Sequence, residues 1–145
     1  MATRLHPRSP VPRAGILFCV VLAATLSACG KDADSGSSDA TALTIRVVAD
    51  EGAHPQTYEL KCDPPGGDHP QPEQACQALD AAGAKIFDPV PKDQACTDIY
   101  GGPQTATVTG TYAGDKVDAT FERTNGCEID RWEQLGTTFF NVPLQ

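Results

Sequence analysis

Apolar and polar positions change rhythm several times along the 145 residues. Residues 15–24 (GILFCVVLAA) form an unbroken apolar run. It is too short to cross a bilayer as a helix, which takes about 20 residues. Arg4, Arg8 and Arg13 precede it, and Thr25-Leu26-Ser27-Ala28 lead from it into Cys29. A basic start, a short apolar centre and a small-residue exit describe a secretory signal over residues 1–28. Residues 31–40 (KDADSGSSDA) then carry no large apolar side chain. Such a stretch cannot bury enough surface to offset its chain entropy, so residues 29–40 are expected to be a flexible tether. The folded domain is expected over 41–145.

Within that domain the rhythm is mostly that of a sheet. Residues 42–49 (ALTIRVVA) alternate with period two and place Leu43, Ile45 and Val47 on one face. Residues 57–62 (TYELKC) predict a second strand with Tyr58 and Leu60 on one face, and His54-Pro55 falls in the connection. Asp63-Pro64-Pro65-Gly66-Gly67 breaks regular structure. Residues 72–82 (PEQACQALDAA) predict a helix: Pro72 suits the first turn, and Glu73 suits the positive end of the helix dipole. Ala75, Cys76 and Leu79 make its apolar stripe, and Gly83 ends it.

Residues 105–112 (TATVTGTY) are β-branched, and 116–123 (KVDATFER) pair with them as a hairpin across Ala113-Gly114-Asp115. Residues 137–142 (TTFFNV) predict a last strand, after a second short helix over 130–136. The expected class is α+β: about five mostly antiparallel strands with one or two helices on one face.

Charge narrows the function. The chain carries 11 Lys+Arg against 19 Asp+Glu. Removing residues 1–28 takes three arginines and no acid, leaving eight cations, nineteen carboxylates and a net charge of −11. Such a surface excludes nucleic acid as a partner, because phosphate binding needs clustered cations. No Ser/His/Asp arrangement, phosphate-cradling glycine loop or CxxC motif occurs, so catalysis and cofactors are not expected.

His54 and His69 lack a placed carboxylate, so no metal site is expected. Glu122 and Arg123 would face opposite sides of a strand, which points to a surface and structural role. Trp132, beside Arg131, is expected to pack half-buried. Of six cysteines, Cys19 leaves with the signal. Leu26-Ser27-Ala28-Cys29 resembles the bacterial lipobox, which makes Cys29 a lipid acceptor and the protein an extracytoplasmic one, held at the membrane by lipid or secreted. Cys62, Cys76, Cys96 and Cys127 remain. In an exported domain they imply disulfides rather than zinc, with three pairings open.

Several segments in order resemble the subtilisin inhibitor-like family of serine protease inhibitors found in actinomycetes. They are LKCDPPGGDHP over 60–70 with ACQAL over 75–79, CTDIY over 96–100, TVTGTYAG over 107–114, and FERTNGCE over 121–128. The resemblance covers about residues 42–142 and includes the spacing of the four cysteines. It implies the pairs Cys62–Cys76 and Cys96–Cys127. It also implies a substrate-like loop for a serine endopeptidase, with the scissile bond at Asp98–Ile99, Cys96 and Thr97 on the acyl side and Tyr100 on the leaving side. Asn125 is implied as a support that hydrogen-bonds the loop backbone. Pairing of two copies through the sheet is a further implication, opposed at low salt by the net charge of −11.

The sequence departs from the family where specificity is set. Asp98 stands where members usually present Met, Leu or Lys. Thr97 stands in place of proline, and Gly101-Gly102 are expected to loosen the far side of the loop. An aspartate loses its hydration on entering an apolar pocket, at a cost of several kcal/mol in principle. Two readings follow. Either the target has a cationic or polar pocket that selects acidic residues, or the scaffold is a non-inhibitory binding lipoprotein of the envelope.

Overall fold

A computed structural model describes residues 40–143. The signal over 1–28, Cys29 and the tether through residue 39 lie outside the described residues. Five strands and two helices follow in the order β1 (Ala42–Val48), β2 (Gln56–Cys62), β3 (Pro65–Gly67), α1 (Pro72–Ala82), β4 (Thr105–Tyr112), β5 (Asp115–Phe121) and α2 (Gly126–Phe140). A 3₁₀ turn, Ala84–Phe87, follows α1. The strands form one antiparallel sheet in the order β3-β2-β1-β4-β5.

Register carries the period-two alternation across the sheet. Leu43 lies opposite Leu60, Ile45 opposite Val108, Val47 opposite Ala106, and Ala106 opposite Phe121. Because side chains alternate along each strand, this alignment gathers the apolar set on one face. That face is buried, and the opposite face carries Thr44, Arg46, Glu59, Lys61, Thr109 and Asp118. Both helices contribute to the covered side: Leu79 from α1 and Trp132, Leu135, Phe139 and Phe140 from α2 are fully buried with the strand residues.

Residues 137–142 are not the expected last strand: Thr137 to Phe140 form the last turns of α2. On a strand, Phe139 and Phe140 would point to opposite faces, leaving one of them in water. On a helix, adjacent residues differ by about 100°, so both reach the core along with Trp132 and Leu135. Trp132 stacks on Phe140 at 4.0 Å, and Phe121 meets Phe140 at 5.3 Å. Burying each such ring is worth about 1.5–3 kcal/mol, enough to override the strand preference of Thr-Thr-Phe-Phe. Trp132 is therefore fully buried rather than half-buried. Gly136 sits at φ 72, where the two segments of α2 meet at a kink.

The fifth strand lies instead in the Pro/Gly segment read as a break. β3 pairs along the outer edge of β2, with Cys62 opposite Pro65 and Leu60 opposite Gly67. An edge position tolerates proline because its missing N–H faces outward. At Gly67, with φ 97, a Cβ would fall 1.9 Å from the carbonyl oxygen of Glu59, so only glycine allows this approach.

Two stitches then hold the layers. Cys62–Cys76 joins β2 to α1 with 5.6 Å between Cα atoms, and both residues are buried. His69 is buried; its Nδ1 accepts from the Gln71 N–H at 3.1 Å, and its Nε2–H donates to the Phe139 carbonyl at 3.0 Å. That pair of bonds ties the approach to α1 to the end of α2.

Candidate functional site

Between the 3₁₀ turn and β4 the chain runs from residue 88 to 104 without helix or strand. Loops are exposed because their backbone must reach water or side-chain partners, and residues 91–100 are exposed apart from Cys96. A segment of this kind holds one shape only if something outside it supplies hydrogen bonds and cross-links. The chain just before and at the start of α2 supplies them.

Two residues before Asp98, Cys96 is bonded to Cys127, with 5.4 Å between Cα atoms. One residue further on, the Thr97 carbonyl accepts from the Gly126 N–H at 3.0 Å. Gly126 is a helix-start residue whose N–H has no acceptor within the helix, so the loop satisfies a donor that would otherwise be orphaned. The approach is close: a Cβ on Gly126 would lie 2.0 Å from Thr97 Oγ1 and 3.3 Å from Thr97 Cβ.

Just after Tyr100, the Gly101 N–H donates to the Arg123 carbonyl at 2.8 Å. Nη1 of the same arginine donates back to the Gly101 carbonyl and, at 3.2 Å, to Gln104 Oε1. Arg123 and Gln104 are 6% and 4% exposed, so this contact is inside the protein. Gly101 packs where a Cβ would come 2.8 Å from the Ile129 side chain. Gly102, at φ 134, lies where a Cβ would come 2.3 Å from Gln104 Oε1.

The structure corrects three expectations here. Gly101-Gly102 do not slacken the loop; they let it pack onto α2 and bond to Arg123. Asn125 does not support the loop with its side chain: Oδ1 accepts from the Glu128 N–H at 3.1 Å and caps α2, in the way an Asn at the N-cap satisfies the first turn. Arg123, expected on the surface, is buried beneath Gly101.

Between the two clamps stand Asp98, Ile99 and Tyr100, all exposed. Ile99 is 54% and Tyr100 70% exposed, and they are the exposed large apolar residues among those described. Two adjacent apolar side chains held outward, on a segment fixed at both ends, make a surface suited to a partner rather than to the protein's own core. Asp98 adds a negative charge at the same tip. The loop therefore presents a short, anchored piece of main chain with one carboxylate and two apolar side chains. It brings together no nucleophile and base.

The family model described as subtilisin inhibitor-like matches residues 37–125. Subtilisin inhibitor-like protein 5 of Streptomyces fradiae is 36% identical over 105 residues, which is 68% of this chain and 94% of that protein. Subtilisin inhibitor-like protein 1 of Streptomyces cacaoi is 39% identical over 79 residues, covering 50% and 68% respectively. Among solved structures, Streptomyces caespitosus sermetstatin in complex with Bacillus licheniformis subtilisin matches with a TM-score of 0.45 and 22% identity, over 70% of this chain and 96% of that one. The chain belongs to the subtilisin inhibitor-like family.

Proposed function

We propose that this member of the subtilisin inhibitor-like family inhibits a serine endopeptidase, offering residues 96–100 as a substrate-like loop with Asp98–Ile99 as the bond presented. It acts on an enzyme rather than as one. The observation that carries the reading is the pair of clamps: Cys96–Cys127 with Gly126 on one side, Arg123 on the other, and three exposed residues between them.

A flexible peptide loses affinity because binding must order it, at about 0.5–1.5 kcal/mol per immobilised side chain. A loop already ordered avoids that cost. It can also add main-chain hydrogen bonds to an enzyme cleft in the manner of an extra strand. If the bond is cut, the scaffold keeps both new ends close, so resealing competes with release.

Asp98 sets the target class. A carboxylate entering an apolar pocket gives up water without a partner, whereas a cationic or polar pocket compensates it. The reading therefore favours an endopeptidase that cleaves after Asp or Glu. The test is a titration of serine endopeptidases, including subtilisin and an acid-specific enzyme, with the protein lacking residues 1–40. Near-stoichiometric inhibition of the acid-specific enzyme is expected; a panel that only digests the protein rejects the reading. Asp98→Met is expected to raise affinity for subtilisin about tenfold or more, each factor of ten being 1.4 kcal/mol. The same Asp98 also favours a second reading, a binding lipoprotein of the envelope without inhibitory action. A non-protease partner whose capture survives changes at Asp98 and Ile99 would select it.

Attachment at the cell envelope through lipid on Cys29 is part of the proposal and rests on Leu26-Ser27-Ala28-Cys29. Two or more acyl chains anchor stably, at about 0.8 kcal/mol per buried methylene. Cys29→Ala should release the protein from the membrane fraction; a protein that stays in that fraction excludes the anchor.

A further inference from the structure

Arg123 is buried at a place where stability alone gives no reason for a charge. The other arginine at this end of the domain, Arg131, is paired: Nη1 meets Glu128 Oε2 at 2.7 Å, and its guanidinium lies 4.6 Å from the Phe121 ring centre. Arg123 enters no ion pair among the described residues. Its Nε–H finds no protein acceptor there either. Its charge is met by two neutral oxygens, the Gly101 carbonyl and Gln104 Oε1. Burying a guanidinium without a carboxylate is costly, and apolar replacements of buried charges are often neutral or stabilising. A charge kept under these conditions is explained by what it holds.

What it holds is the leaving side of the loop. Gly101 is bonded to Arg123 twice, through its N–H to the arginine carbonyl and through its carbonyl to the guanidinium. The acyl side has a covalent anchor two residues before Asp98, at Cys96. The leaving side has none nearby: after Ile99, no cysteine follows until Cys127. The hydrogen-bonded arginine occupies the place where a second cross-link would otherwise be needed.

We propose that Arg123 is a positioning residue for the inhibitory loop: a buried, unpaired guanidinium that retains the leaving-side backbone through the Gly101 carbonyl and so governs how readily the loop reseals once cut. The proposal rests on the reading of residues 96–100 as the reactive loop. Cutting Asp98–Ile99 consumes one water and leaves a carboxylate on Asp98 and an amine on Ile99. Resealing returns that water and requires the amine to remain beside the acyl carbon. Ile99 is two residues from the atom that Arg123 holds. Without the guanidinium, Gly101 keeps only its N–H bond to the carbonyl of residue 123, so the amine strays further from the acyl carbon, which favours the cut form and shortens inhibition. Gln104 has the supporting part: its Oε1 takes a second guanidinium N–H and so fixes the side chain's direction.

The experiment uses Arg123→Met, which keeps length and apolar volume while removing the charge and its donors, with Arg123→Lys as the conservative comparison. Three quantities are read: amide exchange at residues 99–102, the ratio of cut to intact protein after prolonged exposure to catalytic protease, and the melting temperature. In Arg123→Met, amide exchange at 99–102 should quicken about tenfold, as expected for loss of one charged hydrogen bond. The cut-to-intact ratio should rise by a similar factor, while exchange in β1 and β4 and the melting temperature hold or improve. Arg123→Lys should recover part of both losses.

Unchanged exchange at 99–102, or losses that merely follow a lower melting temperature, would overturn the proposal. Should Arg123→Met fail to fold, Gln104→Met replaces it, with the same expectations at smaller size. The exchange arm needs no protease. If exchange quickens yet the wild-type protein inhibits no enzyme, the inhibitory reading has failed while the anchoring by Arg123 stands.

Discussion

The two disulfides join different kinds of places. Cys62–Cys76 links a strand to a helix inside the core, between elements that register and apolar packing already hold together. Cys96–Cys127 links a segment with no regular structure to the first turn of α2, and both its cysteines are partly exposed. Chain entropy alone ranks the second higher: loops closed over separations of 14 and 31 residues stabilise by about 3 and about 4 kcal/mol. What each does in the folded state widens the difference. The first adds to a shape the core would adopt anyway. The second creates a shape that nothing in residues 91–100 would adopt by itself.

That contrast can be broken by experiment. The largest effect is expected on removing the second pair. Cys96→Ala with Cys127→Ala frees about three residues at the loop tip, which at about 1 kcal/mol each weakens inhibition on the order of a hundredfold or more. It also opens the loop to rapid cutting at 96–101, read by mass spectrometry of the fragments. Cys62→Ala with Cys76→Ala should lower the unfolding free energy by about 3 kcal/mol in a denaturant titration while the fragment pattern and the inhibition per folded molecule stay as they were. If both double variants lose inhibition in proportion to stability, the two staples are equivalent and the distinction fails.

A smaller effect sharpens the same comparison. Gly126→Ala pushes a methyl into Thr97, so the loop must shift although the cross-link survives. Inhibition should weaken about tenfold with the melting temperature almost unchanged, since an exposed-side adjustment of one loop costs roughly 1 kcal/mol. Adding Thr97→Ala removes the hydroxyl in the way and should restore much of the loss. Failure of that rescue would mean that Gly126 matters for the start of α2 and not for the loop.

Much of the scaffold was legible because its signals are local. Leu43, Ile45 and Val47 alternate, 105–112 is β-branched, and Pro72 and Gly83 bracket a helix; the structure places β1, β2, β4, β5 and α1 within a residue or two of those readings. Two elements were illegible for one shared reason. β3 exists because the edge of β2 offers it partners, and the end of α2 is helical because a core needs both Phe139 and Phe140. Neither circumstance is written in the segment itself. The site divides the same way. Cys96, Asp98 and Tyr100 stand out through cysteine spacing and resemblance to a family. Arg123, Gln104 and Gly126 do not, because nothing near residue 123 tells that residue 101 will lie against it. An arginine at the last position of a predicted strand was the one available hint, and its neighbour Glu122 made it look like half of a surface pair.

Consider last that one helix receives the loop at its beginning and fills the core at its end. Gly126 and Cys127 take hold of residues 96 and 97, while Trp132, Phe139 and Phe140 are sunk among the strands. Any enzyme that tugs on the loop therefore tugs on the first segment of α2, which Trp132 and Leu135 root in the core before the kink at Gly136. Shifting the loop's anchor would mean disturbing the stacked Trp132 and Phe140, a cost that an ordinary substrate, with no core behind it, does not impose.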